Sequence, residues 1–242
     1  MFYQKKVIIF DMDGTLIDSV GIWNIVDREL IAQLGGETLP ELHIQQRRDE
    51  LLRSFSHAQD AYIEYCDFLA QTYHAPFSKD VIRSMRYAIA QHYLKNVIDF
   101  KPDAHTLLYY LKEQGYQLVI ASTTSQNILN IYSNENDAMR QKVDFEKTFS
   151  LILGRELVSK IKPHPEVHQF IMQELGVQPH ECLVVEDSLV GVEAAQNAGI
   201  DVITIRDTYA QTDEPELRKR SIAYFEDFNR LLLHVKEELG QS

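Results

Sequence analysis

Cysteine is scarce in this 242-residue chain: Cys66 and Cys182 lie far apart, with no CxxC pair and no companion histidine spacing. That pattern excludes a disulfide framework or a thiolate metal site and leaves two reduced, partly buried side chains. Long hydrophobic runs are missing as well. The run Val7-Ile8-Ile9-Phe10 is far short of the ~20 residues of a spanning helix, and Asp11 interrupts it before any signal-peptide core could form. The expectation is a cytoplasmic protein with no membrane partner. Positive charge is also in deficit, 24 Lys and Arg against 36 Asp and Glu, for a net charge of −12. With no excess of cations to displace counterions from a polyphosphate backbone, nucleic acid is excluded as a partner. Disorder is excluded too, because 45% hydrophobic and 25% charged residues are the balance of an ordinary folded domain.

What is present is an alternation of strand and helix patterns at both ends of the chain, around a helix-only middle. Val7–Phe10 reads as a strand buried on both faces, stopped by the polar turn Asp11-Met12-Asp13-Gly14-Thr15. Three apolar stripes at helical spacing follow with no strand signal. They are Ile22, Val26, Leu30 and Leu34, closed by Gly35-Gly36; Ala61, Tyr65, Phe68, Leu69 and Tyr73; and Ile82, Met85, Ile89 and Tyr93 behind a Ser78 N-cap. From Pro102 the chain alternates. A helix closed by Gly115 precedes strands at Gln117–Ala121 and Phe149–Leu153. A helix over 165–175, a strand over 183–185, a helix over 189–198 and a strand over 202–205 complete the pattern. Repeated strand–helix–strand units predict a Rossmann-like α/β fold, a parallel sheet with helices on both faces, carrying an inserted all-helical domain. The predicted boundaries are 1–18 and 98–242 for the α/β core and 19–97 for the helical insertion.

In such sheets ligands bind beyond the carboxyl ends of the strands. The strand ends carry Asp11 and Asp13, Ser122 and Thr123, and Glu186 and Asp187. Carboxylates crowded there repel one another unless a cation neutralises them, and a hard divalent ion such as Mg²⁺ suits oxygen ligands of this kind.

The stretch Phe10-Asp11-Met12-Asp13-Gly14-Thr15-Leu16-Ile17-Asp18-Ser19 resembles the signature of the haloacid dehalogenase (HAD) superfamily. Ser122 after its hydrophobic strand resembles the second motif, and Lys162-Pro163-His164-Pro165-Glu166 the third. Val184-Val185-Glu186-Asp187-Ser188, followed by Gly191-Val192, Ala194-Ala195 and Ala198-Gly199, resembles the fourth. Two departures stand out. Glu166 replaces the usual Asp, and residues 132–147 look like extra length, read as a surface insertion of little catalytic weight. The resemblance implies a nucleophilic Asp11, which at a reference pKa of about 3.9 would be ionised near neutrality and need only orientation. It further implies Asp13 as general acid and then base, and Lys162, Ser122 and the Thr123 amide as phosphate contacts. Mg²⁺ would be bound by the carboxylates of Asp11 and Asp187 and the backbone carbonyl of Asp13, with Glu186 acting directly or through water. The helical insertion would be a cap over the site. Because related dehalogenases lack the second aspartate, Asp13 points to phosphate esters.

Other features rank below these. His164 and His168 read as surface histidines, and the aromatic stripe of Tyr62, Tyr65, Phe68 and Tyr73 as core packing. Arg47, Arg48 and Arg53 read as a solvated helix face, with an anion contact for substrate as the alternative. Trp23 either faces the site or packs inside the helical domain. The combined expectation is a Mg²⁺-dependent phosphatase acting on a small phosphorylated metabolite, sugar phosphates included, through an aspartyl-phosphate. A beta-phosphoglucomutase-like phosphoryl transferase is the alternative enzyme, although no glycine-rich loop with Ser-Arg stands near Gln46-Arg47-Arg48-Asp49. A non-catalytic protein on the same scaffold is the alternative class. Oligomeric state is not legible, and a monomer is compatible with the pattern.

Overall fold

The computed structural model describes residues 1–37, 39–55 and 60–240. The chain divides into two compact units, Met1–Asp18 with Ile98–Ser242, and Ser19–Val97.

The first unit is a six-stranded, all-parallel sheet. Its strands are β1 (Val7–Phe10), β2 (Gln117–Ala121), β3 (Phe149–Leu153), β4 (Cys182–Glu186), β5 (Asp201–Ile205) and β6 (Ala223–Phe225), in the spatial order β3-β2-β1-β4-β5-β6. Register aligns the central strand ends. Phe10 pairs with both Ile120 and Val185, so the residues that follow β1, β2 and β4 emerge side by side where the strand order reverses. All four residues of β1 have no exposed surface, which is why the strand reads as an unbroken apolar run.

Because side chains alternate across a strand, Val7, Ile9, Val119, Ala121, Val184 and Val202 line one face. They pack there with Val167 and Ile171 of a helix over Glu166–Leu175, Val192 and Ala195 of one over Leu189–Asn197, and Leu217 of one over Glu214–Arg220. The helices over Ala104–Glu113 and Phe228–Gly240 pack against each other, the first also against β2 and the second against β6.

In chain order the helices are α1 (Val20–Gln33), α2 (Glu41–Ser54), α3 (Ala61–Thr72), α4 (Lys79–Asn96), α5 (Ala104–Glu113), α6 (Gln126–Asn134), α7 (Asp137–Lys142), α8 (Phe145–Thr148), α9 (Glu166–Leu175), α10 (Leu189–Asn197), α11 (Glu214–Arg220) and α12 (Phe228–Gly240). Local chemistry sets many of their ends. Ser125 caps α6, Asn136 caps α7 and Ser188 caps α10 through side-chain oxygens, and Gly176 closes α9 in the left-handed region at φ 65°. The sequence pattern does not mark α6 to α8 between β2 and β3, nor the short β6 with α11 and α12. Three half-buried residues are too few to show a period.

Residues 132–147 correct the expectation of a surface insertion. Tyr132, Met139, Val143 and Phe145 are buried, and the Phe145 ring stacks on Phe100 at a centroid distance of 5.9 Å. Asn136, also fully buried, donates to the Ile98 carbonyl at 2.7 Å while accepting from the Met139 N–H. These residues belong to the buried interior of the first unit, with α8 packed against β3.

The second unit contains α1–α4 around a core of Leu30, Ile31, Leu34, Ile44, Tyr65, Cys66, Leu69 and Ile82. Within it, the fully buried Asp27 accepts from Arg86 at 2.6 Å and from Arg48 at 2.9 Å. Among the described residues no helix is long and apolar enough to cross a membrane. Both cysteines are free and buried.

Candidate active site

The end of β1 carries the first acidic pair. Asp11 continues the ladder by donating its N–H to Val185 O (3.0 Å), and Gly14 then turns the chain at φ 86°, a conformation that side chains resist. Its N–H donates to Ile17 O at 3.0 Å, closing a compact loop. The Thr15 hydroxyl in that loop donates to Asp187 Oδ1 at 2.7 Å, tying the β1 loop to the β4 loop in a buried contact.

Lys162 joins two strands. Its ammonium donates to Asp11 Oδ1 and to Glu186 Oε1, both at 2.7 Å, with only 6% of the residue exposed. Glu186 is held from the other side, since Oε2 accepts from the Asp187 and Ser188 amides and from the Ser188 hydroxyl. Its carboxylate fills the space a side chain at Gly191 would need: a Cβ there would sit 1.7 Å from Glu186 Oε1. The loop bearing Lys162 is anchored by Glu166, which accepts from the Ser159 and Lys160 amides at 2.7 and 3.0 Å. Glu166, at the position where the third motif usually has Asp, is thus the anchor of this loop. At the end of β2 the buried Ser122 accepts from the Thr124 N–H at 3.0 Å, and Thr123 is exposed just ahead of the α6 N-terminus.

Charge in this cluster is unbalanced. Burial, the largest effect, pushes the Asp11 carboxyl up to about 8, while the Lys162 ammonium opposes this and the Glu186 carboxylate adds to it. Desolvation thus opposes the ionised Asp11 that the sequence leads one to expect, and the Lys162 ammonium supports it. Burial, then Glu186 and Asp11, raise Asp187 well above the usual carboxyl range, against the Thr15 hydroxyl. For Lys162 burial disfavours the charge, yet Asp11 and Glu186 together hold it above the ordinary ammonium value.

Asp11, Glu186 and Asp187 can place one carboxylate oxygen each within 4.8 Å of one another. Three buried carboxylates facing one ammonium form an all-oxygen donor set with charge to spare, which fits a hard divalent cation such as Mg²⁺. The Asp13 carboxylate is not part of that triplet. Its Oδ1 accepts from the Tyr132 hydroxyl at 3.0 Å, a contact sequence reasoning missed. The phase of α6 (Ile128, Leu129, Ile131 and Tyr132 buried) could have flagged the ring as interior but not the reach of its hydroxyl.

Two expectations fail against packing. His168 is not a surface histidine: it is fully buried on α9, and neither ring nitrogen has a hydrogen-bond partner among the described residues. Burial, then the Lys162 charge, push its imidazole down to about 3. His164 is half-exposed, with its Nδ1 3.8 Å from Glu166. Arg48 is not on a solvated face, because its guanidinium is buried on Asp27 inside the helical unit. There Arg47 lies over Phe68 at 5.3 Å, and Trp23 packs under the Arg86 guanidinium at 4.5 Å. Tyr65 is core, whereas Tyr62 is 38% exposed beside Arg86. The side chain of Arg53 lies outside the described residues.

Comparisons with known proteins bear on the family and the fold. The family model described as haloacid dehalogenase-like hydrolase matches residues 8–205. The chain is 27% identical over 210 residues to hexitol phosphatase B of Escherichia coli strain K12, covering 87% of each protein. It is also 27% identical over 198 residues to the phosphorylated carbohydrates phosphatase of Thermotoga maritima, covering 82% of this chain and 83% of that one. Among solved structures, a HAD family hydrolase from Deinococcus radiodurans with bound phosphate and sodium superposes with a TM-score of 0.72 at 21% identity, covering 97% of this chain and 96% of that one. CbbY from Rhodobacter sphaeroides in complex with phosphate superposes at 0.69 and 22% identity, covering 93% and 95%. At such identities these two structures speak for the fold alone.

Proposed function

The chain belongs to the haloacid dehalogenase-like hydrolases, and on that premise we propose that it is a Mg²⁺-dependent phosphatase of small phosphorylated metabolites, sugar phosphates foremost, working through an aspartyl-phosphate on Asp11. The observation that carries this reading is the buried Asp11–Lys162–Glu186–Asp187 cluster beside Asp13 at the strand ends. The names of the two curated relatives support phosphorylated carbohydrates as the substrate class.

Asp11, Asp187 and Glu186 would hold the cation, with the Asp13 backbone carbonyl, and the cation would supply positive charge that keeps these carboxylates ionised and draws in the phosphoryl group. Lys162 links Asp11 to Glu186, so it orients the nucleophile and offers its charge to phosphoryl oxygens. Ser122 and the amides at the α6 N-terminus supply further donors. In the first step a bond forms between an Asp11 oxygen and phosphorus while the ester P–O bond breaks. The electron pair leaves with the ester oxygen, which takes a proton from Asp13 and departs as the alcohol. In the second, water gives a proton to Asp13 and attacks phosphorus, releasing inorganic phosphate and restoring Asp11. The helical unit is read as the cap that selects substrate.

Phosphate release from a panel of sugar phosphates and other phosphorylated metabolites tests the reading, run with Mg²⁺, with EDTA and with Asp11→Asn. The expected result is release that requires Mg²⁺ and falls at least about a thousandfold in Asp11→Asn. No release from any member by folded, Mg²⁺-loaded protein overturns it.

A further inference from the structure

Tyr132 is fully buried, yet it carries a hydroxyl where a phenyl ring would fill the same core position. Burying a hydroxyl is unfavourable unless it is hydrogen-bonded, and this one donates to Asp13 Oδ1 at 3.0 Å across 119 residues of sequence. Its position is fixed from several directions. Ile128, Leu129 and Ile131 share the buried face of α6, Ser125 caps that helix, and the buried Asn136 pins the following turn to the Ile98 carbonyl.

We propose that Tyr132 is a positioning residue for Asp13: its hydroxyl makes Oδ1 an acceptor and thereby assigns to Oδ2 the proton given to the leaving oxygen and recovered from water. The inference rests on the reading of Asp13 as general acid and base. A tyrosine hydroxyl has one proton to donate, and the carbonyl-type oxygen of a carboxylic acid is its stronger acceptor, so the bond to Oδ1 favours the acid proton on Oδ2. The same bond restricts rotation of the carboxyl group, so the proton is presented along one direction in both half-reactions.

The test compares leaving groups. An alkyl phosphate from the substrate panel must have its departing oxygen protonated, whereas 2,4-dinitrophenyl phosphate expels an aryl oxyanion that needs no proton. Tyr132→Phe keeps the ring and removes only the hydroxyl. It should lower kcat/KM for the alkyl phosphate roughly tenfold to a hundredfold and for the aryl ester by less than about threefold. In an Asp13→Asn background, the rate of the single-turnover dinitrophenolate burst should be unchanged by adding Tyr132→Phe, because the hydroxyl then has no acid to orient. Equal losses on both esters, or no loss on the alkyl ester, overturn the proposal while leaving the phosphatase reading intact. Phosphate release that survives Asp11→Asn would instead overturn that reading, whatever Tyr132 does.

Discussion

His168 makes acid sensitivity a property of one buried ring. It sits on α9 with no exposed surface, and its imidazole is held near 3 against an ordinary value of 6.5. Between those values the unfolded chain binds a proton at this site and the folded protein does not, so this residue's contribution to stability falls as pH falls from 6.5 towards 3. The gap of 6.5 − 3 = 3.5 corresponds to roughly 5 kcal/mol over the whole window, at about 1.4 kcal/mol per pH unit. A loss of that size is comparable to the net stability of many domains. Asp11 and Asp187 work in the opposite direction: their raised values mean that acidification relieves buried negative charge and restores stability. The wild-type pH profile is therefore a sum, and the difference between wild type and His168→Leu isolates the histidine. Leucine has similar bulk and leaves no buried nitrogen without a partner, so the variant should be more stable by about 1–3 kcal/mol near neutrality. Its advantage should then widen by about 3 kcal/mol between about pH 6.5 and about pH 4. Urea unfolding of both proteins over that range measures the difference. A gap that stays constant would show that the folded protein accommodates a charged His168, and acid sensitivity would then not lie in this ring.

Three further predictions concern the acidic cluster. Gly191→Ala should displace the Glu186 carboxylate, since the added Cβ would lie 1.7 Å from Oε1, and break its link to Lys162. We expect phosphatase activity to fall roughly a hundredfold while far-UV circular dichroism is preserved, because alanine favours helices more than glycine does. Mg²⁺ at about 100 times its Kd should stabilise the protein by about 2.7 kcal/mol in thermal shift, reversed by EDTA and abolished in Asp187→Asn. Protons compete for the raised Asp11 carboxyl below about 8, so Mg²⁺ affinity should increase as pH rises towards that value. Affinity independent of pH between 6 and 8, measured by calorimetry, would count against Asp11 as a ligand.

Strands β1 to β5, the helices closed by Gly115, Gly176 and Gly199, and the placing of Asp11, Ser122, Glu186 and Asp187 at strand ends are legible in the local pattern alone. These features are local. They depend on alternation within five or so residues, on glycine where φ turns positive, and on polar residues where a buried strand must stop. Which side chains meet is set instead by packing between distant elements. The same sequence signals that mark a surface histidine and a solvated arginine are compatible with His168 under the Lys162 loop and Arg48 on Asp27. Burial there is set by elements packed from distant parts of the chain. The bond from Tyr132 to Asp13 joins residues 119 apart, and a hydroxyl's partner is fixed by how α6 docks on the sheet, which no short-range period encodes.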